Sequence, residues 1–235
     1  MKKIWIAMLL LFAAVAGRAQ SALKGRISVR VPRVELRLAY AEFDRSFSEG
    51  LQPAGTDAEG RYLLPDDDKI YAVALYRADD ALQAPALVNF ILLPGERLEV
   101  LGLFADGDTF DWRIKGSPVF EADYDYTKPH RSEELRAATL RRQNMAGEWD
   151  SLPVERQQRL NGELRRLERG IKARRCDYIR RNPSSPLAAY YFACQPFEIE
   201  KVVEYYSMLS PSLREGRYGP MLDFVCEMYM RILNA

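Results

Sequence analysis

Between Leu23 and about Lys115, apolar and polar residues alternate with a period of two and are broken often by turn residues, the pattern of antiparallel strands that each bury one face. Ile27 to Val31 alternates, and Val34 to Leu38 alternates again after Pro32-Arg33. Asp57-Ala58-Glu59-Gly60 supplies a turn before Arg61 to Leu64, and Asp66-Asp67-Asp68 another before Ile70 to Tyr76, a run apolar enough for a central strand. Leu87 to Leu93 and Leu98 to Leu101 flank Pro94-Gly95 and predict a hairpin, with Phe110 to Ile114 as a closing strand. About seven short strands of this kind predict a β-sandwich.

After Gly116-Ser117-Pro118 the period becomes helical, and Val119 to about Asn144 predicts a long segment of modest amphipathicity. Leu160, Leu164, Leu167, Ile171 and Tyr178 form a sustained apolar stripe on a helix from about Pro153 to Arg181, weakened slightly by Gly170. Pro183 disfavours helical geometry at Asn182, while Ser185 can cap a new helix with Pro186 in its first position. That short helix runs to Cys194, and Glu198 to Leu209 and Tyr218 to Leu233 predict two more. Strands first and helices afterwards predict an α+β chain: an antiparallel β-sandwich domain over 22–116, then a helical domain over 117–235.

Ahead of both, Lys2-Lys3, the apolar run Ile4 to Ala16 and the small residues around Gly17-Arg18-Ala19 have the grammar of a secretory signal peptide, predicted as 1–19. The apolar run falls short of the roughly 20 residues a membrane-spanning helix needs, so stable membrane insertion is not expected. No cysteine stands at the cleavage point to carry a lipid. The expected location is periplasmic or secreted. Processing leaves 216 of the 235 residues, enough for a core without disulfide staples.

The whole chain carries 34 basic and 33 acidic residues, and removing Lys2, Lys3 and Arg18 leaves it near neutrality, so nothing global points to nucleic acid. The distribution is uneven: Glu42 to Asp125 holds 18 acidic and 7 basic residues, while Arg131 to Arg181 holds 14 basic and 8 acidic. Pairs along one helix, Glu163/Arg166 and Glu168/Lys172, would make the basic stretch a solvated face. The other reading is that it docks on the acidic part of the same chain or on an acidic partner.

Several stretches now fall in one order: Leu23-Lys24-Gly25-Arg26-Ile27, Asp57 to Tyr62, Ile91 to Val100 with Leu93-Pro94-Gly95-Glu96 at its centre, Ile114-Lys115-Gly116-Ser117, and Tyr178 to Ser185. Together they resemble the domain of unknown function that precedes the thioredoxin module in extracytoplasmic thiol-disulfide oxidoreductases. The resemblance covers nearly all of the chain after the signal and implies a β-rich part followed by helices. The redox module of that group carries a Cys-x-x-Cys pair, and this sequence contains none, so the reductase activity does not carry over with the resemblance.

Cys176, Cys194 and Cys226 lie outside any metal-ligand spacing, and neither a cofactor nor a metal is expected. Cys176 and Cys194 are equidistant from residue 185, inside the Asn182–Pro186 turn, where an antiparallel helix hairpin would bring them face to face as a disulfide. The other reading is that all three are buried small apolar residues. The single histidine, His130, follows Pro129, has no Gly-x-Ser-x-Gly nucleophile motif to serve, and reads as a surface or capping residue. Asp66-Asp67-Asp68 and Asp106-Gly107-Asp108 lack the full pattern of a calcium loop and read as turns. The second half is rich in tyrosine, with Tyr124, Tyr126, Tyr190 and Tyr191 as a candidate binding surface and the edge of the core as the alternative.

No catalytic constellation emerges. The expected function is therefore an exported, non-catalytic interaction or ligand-binding module of the cell envelope, whose partner would be an envelope protein. The alternative is a participant in thiol-disulfide exchange beside a separate thioredoxin-like protein, and a hydrolase using scattered carboxylates ranks last.

Overall fold

The structure, a computed structural model, describes residues 26–32, 34–45, 50–80, 84–105 and 109–233. The expected signal peptide 1–19, Leu23-Lys24-Gly25 and the Asp106-Gly107-Asp108 turn lie outside the described residues.

Nine strands precede the helices among the described residues: β1 (Ile27–Arg30), β2 (Leu36–Glu42), β3 (Gln52–Pro53), β4 (Gly55–Thr56), β5 (Tyr62–Leu63), β6 (Tyr71–Arg77), β7 (Val88–Leu92), β8 (Leu98–Ala105) and β9 (Thr109–Lys115). They form two sheets, β4-β5-β1-β8-β9 and β3-β2-β6-β7. The expected central strand Ile70 to Tyr76 is β6, paired on both sides. Period-two alternation puts Ile27, Leu98, Val100, Phe110 and Ile114 of the first sheet into one core with Leu38, Val73, Leu75, Phe90 and Leu92 of the second.

Two expectations are corrected here. The strands are not all antiparallel, because β1 runs parallel to β8, with Val29 beside Val100. Alternation shows which face is buried and carries no information about a neighbour's direction. Leu87 to Leu101 is also not a hairpin: β7 belongs to the four-stranded sheet and β8 to the five-stranded one, so Pro94-Gly95 carries the chain from sheet to sheet. Gly95 adopts φ +73°, and Glu96 Oε2 accepts a hydrogen bond from the Leu93 amide at 3.0 Å, which fixes that turn.

The helices are α1 (Pro118–Thr127), α2 (Arg131–Met145), α3 (Val154–Arg181), α4 (Pro186–Cys194), α5 (Ile199–Met208), α6 (Pro211–Arg214) and α7 (Gly219–Leu233). The segment expected as one element from Val119 to Asn144 is two helices joined by a 3-10 turn at Lys128–His130, where Pro129 has no amide hydrogen to continue the ladder. Ser185 caps α4 as its position predicts, its Oγ accepting from the Leu187 amide at 3.2 Å.

Ile91, Leu93 and Phe43 turn away from the sheet core and pack among Val119, Ile179, Leu187, Phe192 and Met221 of the helices. The first part of α3 packs instead on α2, through a separate small core of Ala137, Leu140, Trp149, Leu164, Leu167 and Ile171. No described helix is long and apolar enough to cross a membrane.

Candidate functional site

The junction between sheets and helices is built from three of the stretches that carry the resemblance. Arg26 is only 1% exposed and donates to the carbonyls of Leu93 at 2.8 Å, Glu96 at 3.4 Å and Pro65. Glu96 is buried too: while Oε2 holds the Leu93 amide, Oε1 accepts from Ser117 Oγ at 2.7 Å, directly ahead of α1. Arg217 approaches the same carboxylate at 3.7 Å from the loop before α7. A buried carboxylate is tolerated only where its oxygens are satisfied, so this clamp is structural in its chemistry. The other two stretches close turns of their own. Asp57 Oδ1 accepts from the Glu59 and Arg61 amides, and Tyr178 and Ser185 hydroxyls meet at 3.0 Å.

A cavity beside the clamp, lined by Leu93, Glu96, Ser117, Phe120, Tyr190 and Tyr218, measures about 10 Å³. That is room for about one water. At this point of the junction the described residues leave no tyrosine-lined groove.

The four tyrosines do not form one surface. Tyr190 stacks edge-on against Phe120 at 5.3 Å, and burial raises its hydroxyl well above the ordinary value. Tyr191 donates to Asp123 Oδ1 at 2.7 Å, and Arg175 lies 5.1 Å over its ring. Tyr126 donates to the Arg174 carbonyl at 3.0 Å and packs against Tyr178 and Tyr191. These three belong to the interior between α1, α3 and α4. Tyr124 faces away from them, beneath the guanidinium groups of Arg113 at 4.5 Å and Arg131 at 5.7 Å. Arg131 is held by Asp111 Oδ1 at 2.8 Å and covers the Trp112 carbonyl on the edge strand β9.

Around Tyr191 lies a polar network that the alternation of residues does not announce: Asp123, Glu134 and Arg175. Arg175 donates to Glu134 Oε2 at 3.2 Å, and burial raises the Glu134 carboxyl above its ordinary value although Arg175 pulls it down. One signal was available, since Arg175 follows Ile171 by four residues and so extends the apolar stripe with a cation.

All three cysteines are free, so the expected bridge between Cys176 and Cys194 is not formed. The two thiols look in different directions. Cys176 is buried and accepts from Gln195 Nε2 at 3.4 Å. Cys194 is exposed as a residue, yet its thiol lies against Tyr190 and Arg175. The thiol's own surroundings, rather than the residue's total area, set its ionisation, and burial pushes it up to about 12. A thiol held protonated in this way suits neither a nucleophile nor a metal ligand.

His130 ends the 3-10 turn without a side-chain capping bond. In the Asp66–Asp68 turn, Asp67 accepts from the Lys69 amide at 3.1 Å and the Tyr71 hydroxyl at 2.8 Å. Among the described residues no three His, Cys, Asp or Glu side chains are grouped to hold a metal ion. No protein-family model, curated protein or solved structure matches the chain.

Proposed function

We propose that this protein is an exported, periplasmic or secreted, non-catalytic interaction module of the cell envelope: a β-sandwich with a helical domain, similar to the accessory domain of thioredoxin-like oxidoreductases. The signal-like segment 1–19 supports the location. Two sheets that share one core support the sandwich. The observation that carries the reading is that these polar groups are already engaged: Arg26 donates to backbone carbonyls, Ser117 donates to Glu96 beside a cavity of about 10 Å³, and Tyr191 donates to Asp123 in the neighbouring helical interior. A site that turns over substrate needs converging groups left free for it and space beside them. Thiol-disulfide exchange with a separate thioredoxin-like protein draws no support from the thiols, since burial raises both Cys194 and Cys226.

Two measurements test the proposal. A periplasm-dependent reporter fused after the first 30 residues becomes active on export, and silence of that reporter refutes the location. The exported protein gives no turnover in a hydrolase and disulfide-exchange screen, and reproducible turnover that a point substitution abolishes refutes the non-catalytic reading.

A further inference from the structure

We propose that the outer face of α3 between Arg159 and Arg169 is an electrostatic docking surface for an anionic lipid bilayer, an inference that rests on the reading of the chain as an envelope interaction module. Arg159, Arg165, Arg166 and Arg169 are all exposed and lie opposite the buried stripe Leu164, Leu167 and Ile171. The row is about 15 Å long at the rise of an α-helix.

The two acids inside the row are engaged by α2. Glu163 is held by Arg136 of α2 at 2.8 Å, and Glu168 by Arg141 at 2.9 Å. Among the described residues, Arg159, Arg165 and Arg169 make no ion pair, and Arg169 Nε reaches only the Arg165 carbonyl at 3.3 Å. The acidic strands of the same chain do not cover the row either. This stretch of α3 is packed on α2 by the small core, while α2 rather than α3 meets β9.

What remains is four exposed guanidinium groups along one helix face, which suits a negative partner. Its chemistry favours a diffuse plane of charge over a folded acidic protein. Protein interfaces draw most of their affinity from buried aromatic and apolar anchors, and no aromatic or large apolar side chain is exposed within this row. Gly162 sits in the middle with nothing within 4 Å of its missing side chain, so the helix can approach a flat surface closely. Guanidinium groups near an anionic leaflet attract it additively and through the salt-dependent atmosphere. The tip of the hairpin takes no part, because Glu148, Asp150 and Glu155 offset its cations.

The test is flotation of the exported protein with phosphatidylcholine vesicles, pure or containing roughly 30% phosphatidylglycerol. Binding is expected to the anionic vesicles alone at about 50 mM salt and to be lost at about 500 mM. The Arg159→Gln/Arg165→Gln variant, altered at two exposed residues without ion pairs, lowers the partition coefficient about 30-fold. An Arg30→Gln control on a distant strand leaves it unchanged. Failure to bind anionic vesicles, insensitivity to the double substitution, or equally tight binding to polyglutamate would overturn the lipid assignment. None of these outcomes touches the non-catalytic reading, which stands or falls on the turnover screen.

Discussion

Glu163 on α3 accepts two hydrogen bonds from Arg136 on α2, to Nε at 2.8 Å and to Nη2 at 3.1 Å, although Arg166 stands three residues away on its own helix. The same preference recurs along the hairpin, where Glu168 pairs with Arg141, Arg174 with Glu133 and Arg175 with Glu134. These pairs tie two helices together instead of decorating one. Because both partners of the first pair are part-exposed, its contribution is small, about 0.5 kcal/mol. Glu163→Gln should lower the unfolding free energy by that amount at pH 7 in low salt, read by urea titration. The hydrogen bonds from Arg136 hold the native carboxyl below its ordinary value of 4.5, so the stabilisation is present above 4.5 and disappears as pH falls through the lower native value. A cost that persists undiminished in about 1 M salt would show that the pair does not act through charge.

Much of the fold was legible because its signals are local. Leu164, Leu167 and Ile171 are buried where the stripe places them, and Ser185 caps the helix that Pro186 opens. What escaped depends on the partner. The strand pattern of Leu98 to Leu101 is the same whether its neighbour is β7 or a parallel β1, and only the tertiary fold chooses β1. Likewise Glu163 meets acceptable arginines both on its own helix and across from it, and sequence spacing sees only the first. The sequence groups four tyrosines as one candidate surface, and the fold separates them, since their burial depends on α1 packing on α4 with Asp123 opposite Tyr191.

Two glycines make opposite predictions. Gly116 adopts φ +91°, and a Cβ there would stand 2.1 Å from the Arg97 carbonyl oxygen, a backbone atom that cannot step aside. Gly116→Ala should cost more than about 2 kcal/mol, combining steric overlap with an unfavourable left-handed backbone. Gly162 lies in an exposed helical turn with open space around it, so Gly162→Ala should add about 0.5–1 kcal/mol. Thermal melts of the two variants check both signs, and destabilisation by the second would mean that α3 is not continuous at that point.

The thiols answer the question of redox chemistry directly. Denatured without reductant, the protein should take up three alkyl groups by intact mass, because all three cysteines are free. A species carrying one alkyl group would reveal a disulfide, and peptide mapping that finds the label on Cys226 would assign it to the 176–194 bridge. In the native state at pH 8, Cys194 should react about 100-fold more slowly than a free thiol, its scarce thiolate offset partly by greater intrinsic nucleophilicity. Fast labelling of Cys194 would place its sulfur in water and reopen the exchange reading.

Glu134 should titrate in the sense opposite to Glu163. Burial raises its native carboxyl above 4.5, outweighing the attraction of Arg175, and the negative charge of Asp123 pushes it further the same way. A carboxyl raised on folding contributes most stability below its ordinary value and loses that contribution as pH rises through the native one. Carbon-detected NMR of the side-chain carboxyls should therefore find the Glu134 midpoint above 4.5 and the Glu163 midpoint below it in the same sample. Glu134→Gln is the poorer probe, because it leaves Arg175 without its carboxylate in a part-buried setting and measures that loss instead. A Glu134 midpoint at or below that of Glu163 would mean that water reaches the Asp123–Tyr191–Arg175 network, and the enclosed interior that supports the non-catalytic reading would then be open to a ligand.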